Sequence, residues 1–340
     1  MRVARYYSRD EIRLEQMAIP DIGPGEMLVQ VKACGLCGSD LMEWYADSKA
    51  PTVLGHEPVG LVSRLGEDVK GFALGDRVFV HHHVPCFICH YCLRGNYSSC
   101  RTFGASRIYP GGFAEYIRVP AINVERDVLH LPEGLGFKEA TLIEPTACAI
   151  RGMDRAGLQK GDTVLIVGVG VSGLLFTQLS RLWGAGLVIA SDPVEYRLQA
   201  ASELGADLTI NPRTDDLTAK LGEFNDGRSA DLVIVTVGSA SVMEEGLGLV
   251  GKGGTVLLYA PLAPGATLPV KVHDLLFSEI TLVSTYSCGP DDTRAALEFI
   301  SRERVQTRGL VTHQFGLEQV GKAIRLAVQA DESLKIVIVP

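Results

Sequence analysis

The sequence predicts an α/β protein with a doubly wound parallel sheet joined to a second, mostly β domain. Three observations carry this. From residue 163 to 286, short apolar runs alternate with amphipathic stretches. The first 120 residues instead show short strands punctuated by Gly and Pro. The chain has 340 residues, which exceeds one typical core, so about two domains are expected. Hydrophobic residues make up 46% and charged residues 21%, enough to build cores rather than disorder.

The elements follow in order. In the first part, 27–33, 58–64 and 76–80 read as strands, separated by turn-rich stretches at 20–25, 71–75 and 110–112. The stretch 138–160 reads as helical, with Pro145 interrupting it. Strands are then expected at 163–167, 187–191, 207–210, 231–236, 255–259 and 280–285, with helices such as 171–183 and 194–204 between them. Continuous apolar strands alternating with helices imply a parallel sheet covered on both faces. The tail reads as two helices, 291–302 and 317–329, and a final strand, 334–339. It is expected to return to the first domain. That gives one domain of 1–147 plus 289–340 and another of 148–288.

Charge and termini exclude several classes. The net charge is −8 and no basic run exists, which opposes nucleic-acid binding. The N-terminal stretch MRVARYYSRDEIRLEQ has no apolar h-region, and no run of about 18 apolar residues occurs, so neither a signal peptide nor a membrane span is expected. A cytoplasmic location follows as the default. In that reducing setting, eight cysteines suggest metal ligation before disulfides.

Strand 163–167 runs into Gly168-Val169-Gly170-Val171-Ser172-Gly173. A lone GxGxxG is weak, but here a strand precedes it, a helix follows, and an acid lies about 20 residues on. The first glycine permits a tight turn, the second lets backbone approach a pyrophosphate, and the third lets helix pack on strand. The helix start offers free N–H groups to the phosphates. The acid is Asp192. Its carboxylate suits ribose hydroxyls and repels a 2′-phosphate, so NAD is favoured over NADP. Arg197 could neutralise such a phosphate, but packing beside the adenine suits it better.

Two sets of metal ligands stand out. Cys86, Cys89, Cys92 and Cys100 lie in PCFICHYCLRGNYSSC. Four thiolates can close a tetrahedral zinc shell with no open position, which ties down a loop and does no chemistry. The second set is scattered: Cys37 in CGLCGSD, His56 and Glu57 in GHE, Glu144 in IEPTA. Each is weak alone; together they suit an open zinc site with a position for substrate. His81, His82 and His83 read mainly as strand-end residues, and His90 as exposed.

CGLCGSD, GHEPVG, the four-cysteine lobe, IEP and GVGVSG occur in the order seen in the zinc-containing medium-chain dehydrogenase/reductase superfamily. The resemblance covers essentially the whole chain. GHE followed by IEP looks most like the branch of polyol (sorbitol, L-iditol), threonine and butanediol dehydrogenases. It implies a Rossmann NAD domain and a GroES-like catalytic domain. It implies Cys37, His56 and Glu144 as ligands of a catalytic zinc, with Glu57 able to ligate or exchange with water. Asp40 would orient His56. Ser39 would take the substrate proton, while Met42 stands where many relatives carry a relay histidine. Cys34, Cys148 and Cys288 match no ligand position and are expected to pack. Tyr286 loosely matches a pocket or cofactor contact.

The resulting expectation is a zinc alcohol or polyol dehydrogenase. It oxidises a secondary alcohol to a ketone with NAD, holds two zinc ions per chain, and forms a homodimer or homotetramer. A threonine- or butanediol-type dehydrogenase is the nearest alternative, and a zinc-ribbon binding module without catalysis a remote one. Glu43, Tyr45, Ser106 and Arg107 are candidate pocket-wall residues that would suit a polyhydroxylated ligand, though surface exposure explains them equally well.

Overall fold

The computed structural model describes residues 1–340. They fall into two compact units. One holds Met1–Ala147, Cys288–Glu303 and Thr307–Pro340; the other holds Cys148–Ser287 and Arg304–Gln306.

The first unit is built mainly on antiparallel strands, with Val311–Phe315 and Lys335–Ile338 paired in parallel. Glu11–Gln16, Arg2–Ser8 and Thr52–Val53 form a three-stranded sheet. A seven-stranded sheet runs Val311–Phe315, Lys335–Ile338, Met27–Gly35, Glu57–Leu65, Arg77–Val80 and Val128–His130, with Tyr116–Val119 also paired to Met27–Gly35. Val29, Val31, Val62, Val78, Phe113 and Ile117 are among the residues filling its core. Burying each such side chain stabilises by about 1.5–3 kcal/mol. The N-terminal hairpin and the strand Val311–Phe315 were not anticipated. Their polar, weakly alternating residues, such as EIRLEQ and VTHQF, hide the period-2 signal.

The second unit is a six-stranded parallel sheet in the order Leu208–Ile210, Leu187–Ser191, Thr163–Val167, Ala230–Val235, Val250–Leu258, Thr281–Ser284. Numbered along the chain, that is 3-2-1-4-5-6, the doubly wound dinucleotide-binding order. All five residues of Thr163–Val167 are buried, as a central strand covered on both faces requires. Pro145 interrupts nothing. It lies in the first turn of the helix Ile143–Ala156, where a missing N–H costs no hydrogen bond. The break falls before it, after the short helix Phe137–Ala140.

No helix is long and apolar enough to cross a membrane.

Candidate active site

Strand pairing explains why residues 19 apart in sequence meet. Met27–Gly35 runs antiparallel to Glu57–Leu65, with Gly35 opposite Glu57 and Cys34 opposite Pro58. Cys37 leaves the end of the first strand just as His56 and Glu57 enter the second. The ligand atoms of Cys37, His56 and Glu57 lie within 4.8 Å of one another. The 3₁₀ turn Gly38–Leu41 folds Asp40 back. Its Oδ2 accepts the Cys37 N–H at 3.1 Å, and its Oδ1 stands 3.6 Å from His56 Nδ1. Burial opposes the Asp40 charge, but His56 and the Cys37 amide outweigh it and hold the carboxyl below its usual range.

Glu57 is fully buried, and its Oε1 has no hydrogen-bond partner. Its Oε2 meets the Nζ of Lys335, itself buried. Lys335 also donates to the Leu36 carbonyl at 3.2 Å. Burial pushes the Glu57 carboxyl up; Lys335 opposes this and Glu144 adds to it. Gly35 makes the pair possible, since a Cβ there would lie 1.7 Å from Glu57 Oε2 and 2.6 Å from Lys335 Cε. An orphaned carboxylate oxygen beside a thiol and an imidazole is a donor set that fits zinc.

Glu144, in the first turn of Ile143–Ala156, is gathered with a different group. Its carboxylate and the ring nitrogens of His81 and His82 lie within 4.8 Å of one another. The histidine run is therefore more than a strand end. His81 Nδ1 is 2.6 Å from Asp127 Oδ2, and Asp127 Oδ1 accepts the Thr293 hydroxyl at 2.6 Å. His81 Nε2 lies 3.5 Å from Cys288 Sγ, so Cys288 does not merely fill space. Burial alone would push His81 down; the Cys288 sulfur and the Asp127 carboxylate outweigh it and hold the imidazole well above its ordinary range. The His82 ring lies 5.0 Å from the His56 ring.

Cys86, Cys89, Cys92 and Cys100 also converge, with all four sulfurs within 4.8 Å of one another. The Cys89–Cys92 and Cys86–Cys92 sulfur distances are 3.5 and 3.9 Å. Four thiolates at about 2.3 Å from a tetrahedral zinc would stand about 3.8 Å apart. A disulfide needs about 2.05 Å, so these thiols are spaced for a metal and not for a bond. His90 is exposed, as expected.

In the second unit, strand Thr163–Val167 turns at Gly168, where φ is +89° and a Cβ would lie 2.4 Å from Val237 Cγ2. Gly170 caps the 13-residue helix Val171–Trp183 without a side-chain partner, leaving N–H groups free for an anion. A Cβ on Gly173 would lie 2.1 Å from the Gly168 carbonyl. Asp192 is buried; its Oδ2 accepts the Val169 N–H at 2.9 Å and its Oδ1 the Val194 N–H at 3.0 Å. Arg197 Nη1 stands 3.6 Å from Asp192 Oδ2 and 3.9 Å from a Cβ placed on Gly170. The arginine thus lies close to both the acid and the glycine loop.

Comparison with known proteins now decides the family. Residues 23–133 match the model of the alcohol dehydrogenase GroES-like domain, and residues 170–302 that of the zinc-binding dehydrogenase. The chain belongs to the zinc-containing medium-chain dehydrogenase/reductase superfamily. It is 32% identical to the sorbitol dehydrogenase of Bacillus subtilis (strain 168), over 100% of this chain and 97% of that one. It is 36% identical to an L-threonine 3-dehydrogenase of Pyrococcus horikoshii, over 79% and 78%. A zinc-binding dehydrogenase of Sinorhizobium meliloti 1021, solved with NADP, superposes with a TM-score of 0.88 at 29% identity, covering 100% of this chain and 99% of that one.

This superfamily member is accordingly a zinc-dependent dehydrogenase that uses a nicotinamide dinucleotide. Sequence reasoning missed Lys335, Asp127 and Thr293. A lone lysine in the apolar run LKIVIV was a readable signal for Lys335, because a buried ammonium demands a partner. Nothing local marked Asp127 or Thr293. Among the pocket-wall candidates, Ser106 is buried and bonded to the Val84 backbone, Glu43 is exposed beside Arg9, and Tyr286 is exposed.

Proposed function

We propose that the enzyme oxidises a secondary alcohol of a polyol to the ketone, passing hydride to NAD, at a centre held by Cys37, His56 and Glu144 with Glu57 as an exchanging fourth group. The observation that carries this is the convergence of Cys37, His56 and Glu57 with one Glu57 oxygen left unpartnered; Glu144, grouped with His81 and His82, acts on the Glu57 charge and is taken as a ligand from the family resemblance. Zinc held there would supply Lewis acidity toward an alcohol oxygen, and a bound nicotinamide would supply the hydride acceptor.

The chain's own residues do the rest. Asp40 fixes the ring of His56. Lys335 restrains Glu57, so that this carboxylate is held short of permanent ligation. Ser39, two residues after Cys37, receives the hydroxyl proton; Met42 carries no proton, so the side-chain route ends at Ser39. Cys86, Cys89, Cys92 and Cys100 hold a second zinc that only braces their lobe. Gly168, Gly170, Val171 and Gly173 cradle the pyrophosphate, and Asp192 bonds the adenosine ribose with Arg197 beside it. The catalytic domain is assigned to 1–147 and 289–340, and the dinucleotide domain to 148–288.

Likeness to both sorbitol and threonine dehydrogenases makes an amino alcohol the second reading for the substrate. A homodimer or homotetramer is supported by the strand Thr281–Ser284. It pairs on one side only, and Leu282, Phe277, Leu276 and Val272 are exposed on or just before it. Eight free thiols suit the cytoplasm.

Metal analysis with turnover tests the reading. Two zinc ions per chain are expected, with NADH formed from sorbitol, and Cys37→Ala should remove one zinc together with turnover. A chain holding one zinc that Cys37→Ala leaves in place refutes the catalytic centre.

A further inference from the structure

One side chain beside the proposed centre has no role in it so far. His82 follows the strand Arg77–Val80, which pairs antiparallel with Glu57–Leu65. Val59 stands opposite Phe79, and continuing that register by three residues sets His56 opposite His82. Residues directly opposite in an antiparallel pair share a face. The two rings accordingly lie 5.0 Å apart. A ring nitrogen of His82 also lies within 4.8 Å of the Glu144 carboxylate. His82 therefore touches on two members of the centre that come from different elements, His56 just ahead of a strand and Glu144 in a helix. It is not part of the group of Cys37, His56 and Glu57, so its place is beside those ligands and not among them. All of these residues belong to the first unit.

The ring has a hydrogen-bonding edge that the protein does not use. His82 is partly exposed, yet its Nδ1 is buried and has no partner. The accessible part of the ring is thus the far edge, which carries Nε2, and no protein group bonds it. The His83 and His81 rings, 4.1 and 5.3 Å away, pack against it and fix its position. Burial, aided by the neighbouring imidazoles, holds His82 well below its ordinary range, so the ring is neutral with a single N–H. A buried N–H without an acceptor is the costlier orphan, which assigns the proton to Nε2 and leaves Nδ1 bare.

A metal ligand position takes one oxygen of an alcohol. In a polyol the adjacent carbon carries a second hydroxyl, which is desolvated with the first and needs a partner of its own. We propose that His82 is a specificity-determining residue, its Nε2–H donating to the hydroxyl on the carbon adjacent to the one being oxidised. The proposal rests on the dehydrogenase reading above and names the side chain that recognises the neighbouring group. An ammonium has no lone pair to accept that bond, so the donor favours a polyol over an amino alcohol. A mono-alcohol leaves Nε2–H unpaired and loses binding.

Steady-state oxidation of butane-2,3-diol and butan-2-ol by the zinc-loaded enzyme with NAD tests it, alongside metal analysis and calorimetric binding of both alcohols. The diol should exceed the mono-alcohol in kcat/KM. His82→Phe keeps a ring and removes both nitrogens. It should lower the diol-to-mono-alcohol ratio about tenfold through KM, while kcat for butan-2-ol and the zinc content stay unchanged. His82→Gln restores an N–H near the place of Nε2 and should recover most of the ratio. His82→Asn, whose amide reaches only the level of Nδ1, should behave like His82→Phe; the Gln and Asn pair carries the test if His82→Phe does not fold. A parent with no diol preference, a ratio that no variant moves, or an equal loss on both alcohols overturns the assignment and leaves the dehydrogenase reading standing. Loss of a zinc ion from folded His82→Phe makes the residue a ligand and also overturns it. If neither alcohol is oxidised, the secondary-alcohol reading fails; calorimetry then decides His82, whose role falls if His82→Phe or His82→Asn binds the diol as tightly as the parent.

Discussion

Asp127→Ala removes the centre of a network with no exposed atom. Asp127 and His81 are both fully buried. The aspartate makes two bonds of 2.6 Å, to His81 Nδ1 and from the Thr293 hydroxyl. Bonds to a charged group contribute about 1.5–3 kcal/mol each, which gives about 3–6 kcal/mol for the pair. Breaking a buried ion pair by deleting one partner costs about 3–5 kcal/mol, because the other charge stays behind. The two routes agree on a loss near 4 kcal/mol. A unit of about 200 residues loses roughly 2–4 °C per kcal/mol, so Tm should fall by about 6–20 °C. Thermal unfolding of Asp127→Ala, Thr293→Val and the double variant reads both the loss and the coupling. The double variant should cost at least about 1 kcal/mol less than the sum of the singles. A Tm within about 2 °C of the parent for Asp127→Ala, or additivity within about 0.5 kcal/mol, would refute the network reasoning.

Two other outcomes follow from the same structure. Cys89→Ser opens a four-thiolate shell, so it should lower Tm and release one zinc while kcat per folded chain changes little; normal melting with lost turnover would contradict the bracing role. Asp192→Asn removes the charge that repels a 2′-phosphate, with Arg197 already 3.6 Å away, so the ratio of NADP to NAD kcat/KM should rise about tenfold or more in cofactor kinetics.

Periodicity was sufficient for the parallel sheet. Its strands are buried on both faces, so burial writes itself as unbroken apolar runs such as TVLIV and LVIAS. The glycine loop was equally legible, because Gly168 and Gly173 leave no room for a side chain. The antiparallel unit was harder. Arg2–Ser8, Glu11–Gln16 and Val311–Phe315 carry half-exposed or edge residues whose pattern does not separate strand from loop.

The sequence alone determined that this protein binds a dinucleotide through GVGVSG and gathers cysteines for zinc, since both rest on spacings within one short segment. Cys86 to Cys100 is one lobe, and its chemistry needs no knowledge of the rest of the chain. The second metal centre is different. Spacing left Cys37, His56, Glu57 and Glu144 as separate weak signals; only the pairing of Met27–Gly35 with Glu57–Leu65 decided which of them meet. Tertiary structure also decided that Glu57 faces Lys335, 278 positions away, and that His81 and Asp127 reach Cys288 and Thr293. The physical reason is common to both. A buried charge is tolerated only beside a partner, and that partner can come from any part of the chain that folding brings within a few ångströms.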